Sequence, residues 1–208
     1  MQSNVEVPQI PREPPLLIVL SGPSGAGKDS VCDMLLRWQP LMHRIVTVTT
    51  RNVRPGEVDG VDYHFISTPD FEKILATGGF VEHAKVYDRY YGVPRIEIED
   101  PLAQGRDAIA RVDVQGAATL KRLFPDALLI FVAPPSIPET LQRMKKRAHD
   151  SPEDQARRAD EARVEMEAAK DFDYVVVNET GRLEETARRV VEIIVAEKQG
   201  RGPRPTAE

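Results

Sequence analysis

The sequence has a single cysteine, Cys32, among its 208 residues, so no disulfide can form within the chain. It also lacks a long apolar run, since the early run Leu16 to Leu20 is far shorter than the roughly 18 residues that a membrane helix needs. Residues 1–15 contain acids, four prolines and no hydrophobic centre, so we expect no secretory signal there. These absences predict a cytoplasmic protein with no membrane partner.

An excess of positive charge is absent as well. The 28 Lys and Arg residues face 33 Asp and Glu residues, for a formal net charge of −5. This balance excludes the electrostatic footprint of a general nucleic-acid binder. Any anionic ligand must therefore be held by a local cluster of arginine and lysine.

The distribution of apolar residues predicts one α/β domain between two flexible tails. Residues 1–15 and 199–208 are rich in proline or glycine and lack apolar periodicity, as is typical of tails. Between them, over 16–198, buried-type strands alternate with amphipathic helices, which favours a parallel core sheet flanked by helices. Two stretches interrupt this pattern: residues 44–95 are rich in strand signals, and residues 143–158 are rich in arginine.

A glycine-rich loop follows the first strand and opens the first helix. Backbone amides of such a loop converge on phosphate oxygens, and a lysine at the helix start reaches the β and γ phosphates. The position after Lys28 normally carries Ser or Thr to ligate Mg²⁺, but here it is Asp29, and Ser30 comes one residue late. The loop residues predicted to bind ATP are Gly22, Pro23, Ser24, Gly25, Ala26, Gly27, Lys28, Asp29 and Ser30.

A second candidate site lies in the Gly- and Pro-bearing segment that starts at Thr49. Arg51 and Arg54 stand three residues apart in it, and two guanidinium groups can form a fork for a phosphate dianion. Taken alone, such a pair more often belongs to a solvated loop.

Several motifs, in order and spacing, resemble those of guanylate kinases over about residues 16 to 198. They are the loop Gly22 to Lys28, the run Thr49 to Glu57 with Tyr63, Glu82-His83-Ala84, Tyr90-Tyr91-Gly92, Val112 to Gly116, Ala133 to Ser136, and Val175 to Asn178. The resemblance implies a P-loop NTPase-type core, a GMP-binding insertion at about 44–95 and a helical LID at about 143–158. It also implies phosphoryl transfer from ATP, with Mg²⁺, to GMP by a monomer or homodimer.

The resemblance also implies roles for single residues. Arg51, Arg54, Tyr63 and Tyr91 would hold the GMP phosphate, Glu82 would accept hydrogen bonds from guanine, and Thr47 would bind its O6. Glu57 and Asp113 complete the predicted GMP-binding set. Asn178 would lie near the adenine of ATP. Arg143, Arg147 and Arg158 match the LID arginines that, with Lys28, would neutralise the transferring group.

Three positions depart from the family pattern. Val93 stands where Ser or Thr usually binds guanine O6, and Arg111 stands where an acidic residue is usual. We expect Arg111 to lie beside Asp29 and to balance its charge, with Asp29 as the protein's ligand to Mg²⁺. Two alternatives stay open at this point: a ribose 1,5-bisphosphate phosphokinase-like enzyme, whose loop also has Asp after the lysine, and a non-catalytic guanylate kinase-like module that binds phosphopeptides.

Overall fold

The computed structural model describes residues 7–12, 14–86, 88–136, 138–139 and 162–200. A helical segment over 162–167 leads into a 3-10 helix, Ala168–Asp171. The remaining elements in chain order are β1 (Leu17–Ser21), α1 (Lys28–Trp38), β2 (His43–Arg44), β3 (Val48–Thr49), β4 (His64–Phe65), α2 (Thr68–Ala76), β5 (Phe80–Val86), β6 (Arg89–Pro94), α3 (Ile96–Ala103), β7 (Ala108–Arg111), α4 (Val114–Leu123), β8 (Leu128–Ala133), β9 (Tyr174–Val177) and α5 (Leu183–Lys198).

The core is a five-stranded sheet in the order β2-β7-β1-β8-β9, and every strand pair in it is parallel. Alternate residues of β1 face opposite layers: Ile18 and Leu20 pack with α1 and α5, whereas Leu17 and Val19 pack with α3 and α4. Because helices cover both faces, β1 and β8 are buried along their whole length. The predicted α/β sandwich is therefore confirmed.

A separate four-stranded sheet, in the order β4-β3-β6-β5, lies within the predicted insertion. It packs on α2 through Phe71, whose ring stacks on Phe80 at 4.3 Å and on Tyr90 at 5.0 Å between centroids. A Cβ at Gly92 would come within 2.7 Å of the Phe80 ring, so this packing requires glycine there. The small sheet thus has its own aromatic core.

Some elements differ from the predictions. Helix α3 is not among the elements predicted from the sequence; Ile98 and Pro101 share its buried face. The apolar pattern predicts short strands over 45–49 and 61–66, and the structure has still shorter ones there, β3 and β4, with two residues each. The sequence pattern also predicts a helix over 137–148, which lies outside the described residues apart from positions 138–139, as does the whole LID stretch 143–158.

The N-terminal segment 7–12 packs on the core, although the sequence predicts a flexible tail over 1–15. Val7 and Ile10 contact the apolar cluster beneath α1 and α5. The Gln39 side chain donates a hydrogen bond of 3.0 Å to the carbonyl of Pro8, and the Lys198 ammonium donates one of 2.6 Å to that of Pro11. Two aliphatic side chains and two tethered carbonyls account for this placement.

Candidate active site

The glycine-rich loop joins β1 to α1 at the carboxyl edge of the core sheet. Gly22, Gly25 and Gly27 have φ angles of 134°, 80° and 90°, in the left-handed region that favours glycine. At Gly27 a Cβ would also collide with the Asn178 side chain. The loop conformation therefore depends on its glycines, as the sequence pattern predicts.

Lys28 is the first residue of α1, and its ammonium folds back over the loop. It donates to the carbonyl of Gly22 and, at 3.1 Å, to that of Pro23. Burial lowers the pKa of the Lys28 ammonium from its ordinary value, while the carboxylates of Glu165 and Asp29 act in the opposite direction. Glu165, on the helical segment 162–167, is a neighbour that sequence reasoning missed, because nothing local links it to the loop.

The Asn178 side chain is buried against the loop. Its Nδ2 donates to the carbonyl of Ala26 at 2.8 Å, and its Oδ1 accepts from the Thr186 hydroxyl at 3.2 Å. Asn178 therefore ties the end of β9 and the start of α5 to the loop backbone. Its expected proximity to adenine stays a prediction.

A cavity of about 350 Å³ lies between the small sheet and the end of β7, which is within the range of ligand pockets. Five of the residues predicted to bind GMP share this one cavity, although they come from distant parts of the sequence. They are Thr47, Tyr63, Glu82, Tyr91 and Asp113. Val93 and Arg111, the two departures noted above, line it as well.

Glu82 and Asp113 give this cavity its negative charge. Burial raises the pKa of the Glu82 carboxyl, and the nearby charge of Asp113 adds to that rise. Asp113 also caps α4, since its Oδ1 accepts a hydrogen bond of 2.8 Å from the amide of Gly116. A Cβ at Gly116 would lie 2.8 Å from a carboxylate oxygen of Glu82, so glycine lets the helix start approach this group closely.

Arg51 lies just after β3 of the small sheet and is held in place by several contacts. Its two terminal nitrogens donate to both carboxylate oxygens of Glu57 at 2.6 and 2.5 Å, and its guanidinium lies 4.8 Å from the Tyr63 ring centroid. The guanidinium holds the pKa of Glu57 down at about 2. Glu57 also accepts from the Arg54 amide at 2.9 Å. Phe65 beneath Arg51, at 5.3 Å, is a further contact that the sequence did not predict.

Asp29 and Arg111 form an ion pair, as the sequence analysis expected. Arg111 Nη1 lies 2.8 Å from Asp29 Oδ1, and both side chains are partly exposed. The pair joins the first turn of α1 to the end of β7, and so connects the phosphate loop to the carboxylate-lined cavity. The predicted LID residues Arg143, Arg147 and Arg158 lie outside the described residues.

A parallel core sheet, a phosphate loop with a helix-opening lysine, and a ligand cavity under a second sheet define a P-loop nucleotide kinase. The sequence profile of guanylate kinase matches residues 15–197. A guanylate kinase of Symbiobacterium thermophilum is 46% identical over 186 residues, covering 88% of this chain and 86% of that protein. One of Thermus thermophilus is 42% identical over 186 residues, covering 89% and 83%.

A solved structure is similar along nearly the whole chain. The crystal structure of guanylate kinase from Anaplasma phagocytophilum has a TM-score of 0.71 and 32% identity, covering 93% of this chain and 89% of that one. The chain therefore belongs to the guanylate kinase family. The resemblance noted in the sequence is confirmed.

Proposed function

We propose that this protein transfers the γ-phosphoryl group of ATP to GMP, giving ADP and GDP. The observation that carries this proposal is the cavity shared by Thr47, Glu82 and Tyr91, which opens beside the end of β7 and the phosphate loop. A donor loop and a purine-sized acceptor cavity at the same sheet edge are what phosphoryl transfer between two nucleotides requires. Membership of the guanylate kinase family supports the same assignment.

Glu82 would read the base. An ionised carboxylate can accept hydrogen bonds from the guanine N1–H and 2-amino group at once, whereas adenine offers neither donor and would leave the charge unpaired. Thr47, on the same cavity wall, would donate its hydroxyl to guanine O6. Val93 pairs with Glu82 across β5 and β6 but has no hydroxyl to offer.

Arg51, Arg54, Tyr63 and Tyr91 would bind the GMP phosphate. The two-point contact with Glu57 already orients Arg51, so ordering this side chain costs little when the phosphate arrives. The Tyr63 and Tyr91 rings lie edge to face with centroids 6.2 Å apart, and both residues line the cavity. Asp113 lines the same cavity, and its charge acts on Glu82.

In the proposed reaction, an oxygen of the GMP phosphate attacks the γ phosphorus of ATP. The bond from that phosphorus to the β,γ-bridging oxygen breaks, and ADP leaves. Lys28 would neutralise charge on the donor phosphates, and Arg143, Arg147 and Arg158 would close over the transferring group. Such catalysis rests on positioning and on electrostatic stabilisation of spread negative charge.

The residues at the loop fit a magnesium ion held mainly by substrate. Within the described ranges, no cluster of three or more His, Cys, Asp or Glu side chains could hold a metal, but Asp29 offers one hard carboxylate oxygen beside the loop. Mg²⁺ is usually bound by one or two carboxylates together with substrate phosphates. Bound there, Mg²⁺ would neutralise part of the charge on the β and γ phosphates, with Asp29 as its protein ligand.

A coupled assay of ADP release, run with GMP, AMP and ribose 1,5-bisphosphate as separate acceptors, tests the proposal. We expect turnover with GMP, because only guanine satisfies Glu82. Turnover with ribose 1,5-bisphosphate alone would instead establish the phosphokinase alternative. Binding of GMP without ADP release from any acceptor would indicate the non-catalytic module.

The cellular setting of the enzyme belongs to the same proposal. No helix in the described part of the chain is long and apolar enough to cross a membrane. We propose a cytoplasmic enzyme, monomeric or homodimeric, that acts on free nucleotides and binds no nucleic acid.

A further inference from the structure

Arg111 occupies a position between the two proposed nucleotide sites. It is the last residue of β7 and pairs in register with Leu20, just before the phosphate loop begins. Its side chain lines the acceptor cavity together with Tyr63 and Tyr91. Burial lowers the pKa of Lys28, and the positive charge of Arg111 adds a smaller contribution in the same direction. A single guanidinium therefore faces both the donor loop and the acceptor cavity.

Asp29 holds this guanidinium in place. The ion pair at 2.8 Å uses Nη1 of Arg111 and Oδ1 of Asp29. An arginine has five N–H donors in a fixed plane, so one contact with a carboxylate leaves donors for a phosphate oxygen. Asp29 can thus orient Arg111 without preventing it from binding an anion.

The charge of Asp29 balances the positive charges of Arg111 and Lys28. Lys28 and Arg111 are two cations at one sheet edge, and without an anion nearby each would destabilise the other. The carboxylate of Asp29 acts to raise the pKa of Lys28, against the larger effect of burial, and it pairs directly with Arg111. The carboxylate thus offsets the repulsion between the two cations at the sheet edge, where a phosphate group can bind them.

We propose that Arg111 is an additional phosphate-binding residue of the acceptor site, positioned by Asp29, and that it contacts the GMP phosphate on the side facing the donor. This inference rests on the proposed function. Arg111 belongs to none of the predicted phosphate-binding sets, since neither the glycine-rich loop nor the Arg51 and Arg54 fork includes it.

The test compares GMP with guanosine, which lacks the phosphate, by titration calorimetry with EDTA present and without ATP. In that buffer any metal-binding role of Asp29 does not contribute. We expect Arg111→Gln to weaken GMP binding about tenfold or more, the value of a hydrogen bond to a charged group, and to leave guanosine binding unchanged. Arg111→Lys should retain part of the affinity because it keeps the charge.

Variants of Asp29 test the positioning role. Asp29→Asn should weaken GMP several-fold, less than Arg111→Gln, because Arg111 is still present but no longer oriented. Asp29→Glu should recover part of that loss, since the carboxylate is kept. Arg95→Gln is the matched control: Arg95 forms a similarly exposed ion pair with Glu99 at 3.0 Å and does not line the cavity. It should bind GMP like the parent protein.

Two results would overturn the inference: GMP affinity within twofold of the parent in Arg111→Gln, or an equal loss for guanosine. Thermal melting of each variant shows whether it is folded, and Arg111→Lys provides a second reading if Arg111→Gln is not. A parent protein that does not bind GMP would instead refute the proposed function itself. The two failures are therefore distinguishable.

Discussion

Replacing Glu82 with glutamine removes the charge proposed to read guanine while keeping the size of the side chain. Two hydrogen bonds to a carboxylate, each contributing about 1.5–3 kcal/mol, would become one bond to a neutral acceptor, at about 0.5–1.5 kcal/mol. The glutamine amino group would also face a guanine donor. We therefore expect a loss of at least about 1.5 kcal/mol, or about tenfold, in kcat/KM for GMP.

The coupled ADP-release assay with GMP and IMP measures this loss and locates its cause. IMP has the N1–H but lacks the 2-amino group, so the parent enzyme should prefer GMP by the value of one hydrogen bond. In Glu82→Gln that preference should shrink, because a single acceptor cannot serve both donors. Glu99→Gln, an exposed change outside the cavity, is the control. A loss below about threefold, or an unchanged GMP to IMP ratio, would refute the base-reading role.

Three further predictions follow from the same geometry. Arg51→Ala and Arg54→Ala should each weaken GMP binding by about 1.5–3 kcal/mol and leave ATP binding nearly unchanged. Calorimetry with both nucleotides measures this, and equal losses of affinity for GMP and ATP would contradict the assignment. Val93→Thr should lower the KM for GMP, because a new hydrogen bond to guanine O6 would strengthen binding by about 0.5–1.5 kcal/mol; a raised KM would contradict this. On acidification the affinity for GMP should fall as Glu82 is protonated, because its pKa is raised, while Glu57, with a pKa of about 2, stays ionised and keeps Arg51 oriented. Calorimetry from pH 7 to pH 4.5 should show a steeper fall in the parent than in Glu82→Gln. The titration of the GMP phosphate contributes equally to both proteins.

The sign of the pH effect follows from which form of Glu82 binds. Burial and the neighbouring Asp113 favour the protonated carboxyl, so the group takes up a proton at a higher pH than an ordinary glutamate. The protonated form has lost one acceptor and the charge, and guanine binds it more weakly. An equal slope in parent and variant would mean that GMP binding is not linked to the protonation of Glu82.

Local features were predictable from the sequence because they depend on neighbours along the chain. The glycines of the phosphate loop, the helix that opens at Lys28, and the continuous apolar strands β1 and β8 follow from backbone freedom and from burial on both sheet faces. The family resemblance came from motifs of the same local kind. Even the meeting of Asp29 and Arg111 could be expected, since both positions adjoin the carboxyl ends of neighbouring strands.

The tertiary structure alone decided how groups distant in sequence act on each other. Glu82 is half-buried beside Asp113 only because Gly116 lets α4 approach the small sheet, and that contact sets the direction of its pKa. Helix α3 forms despite Pro101 because Ile98 packs into the core, and packing outweighs the local preference. Asn178 likewise became a support of the phosphate loop through burial against Ala26. Desolvation and packing depend on the whole fold, so no local pattern in the sequence could specify them.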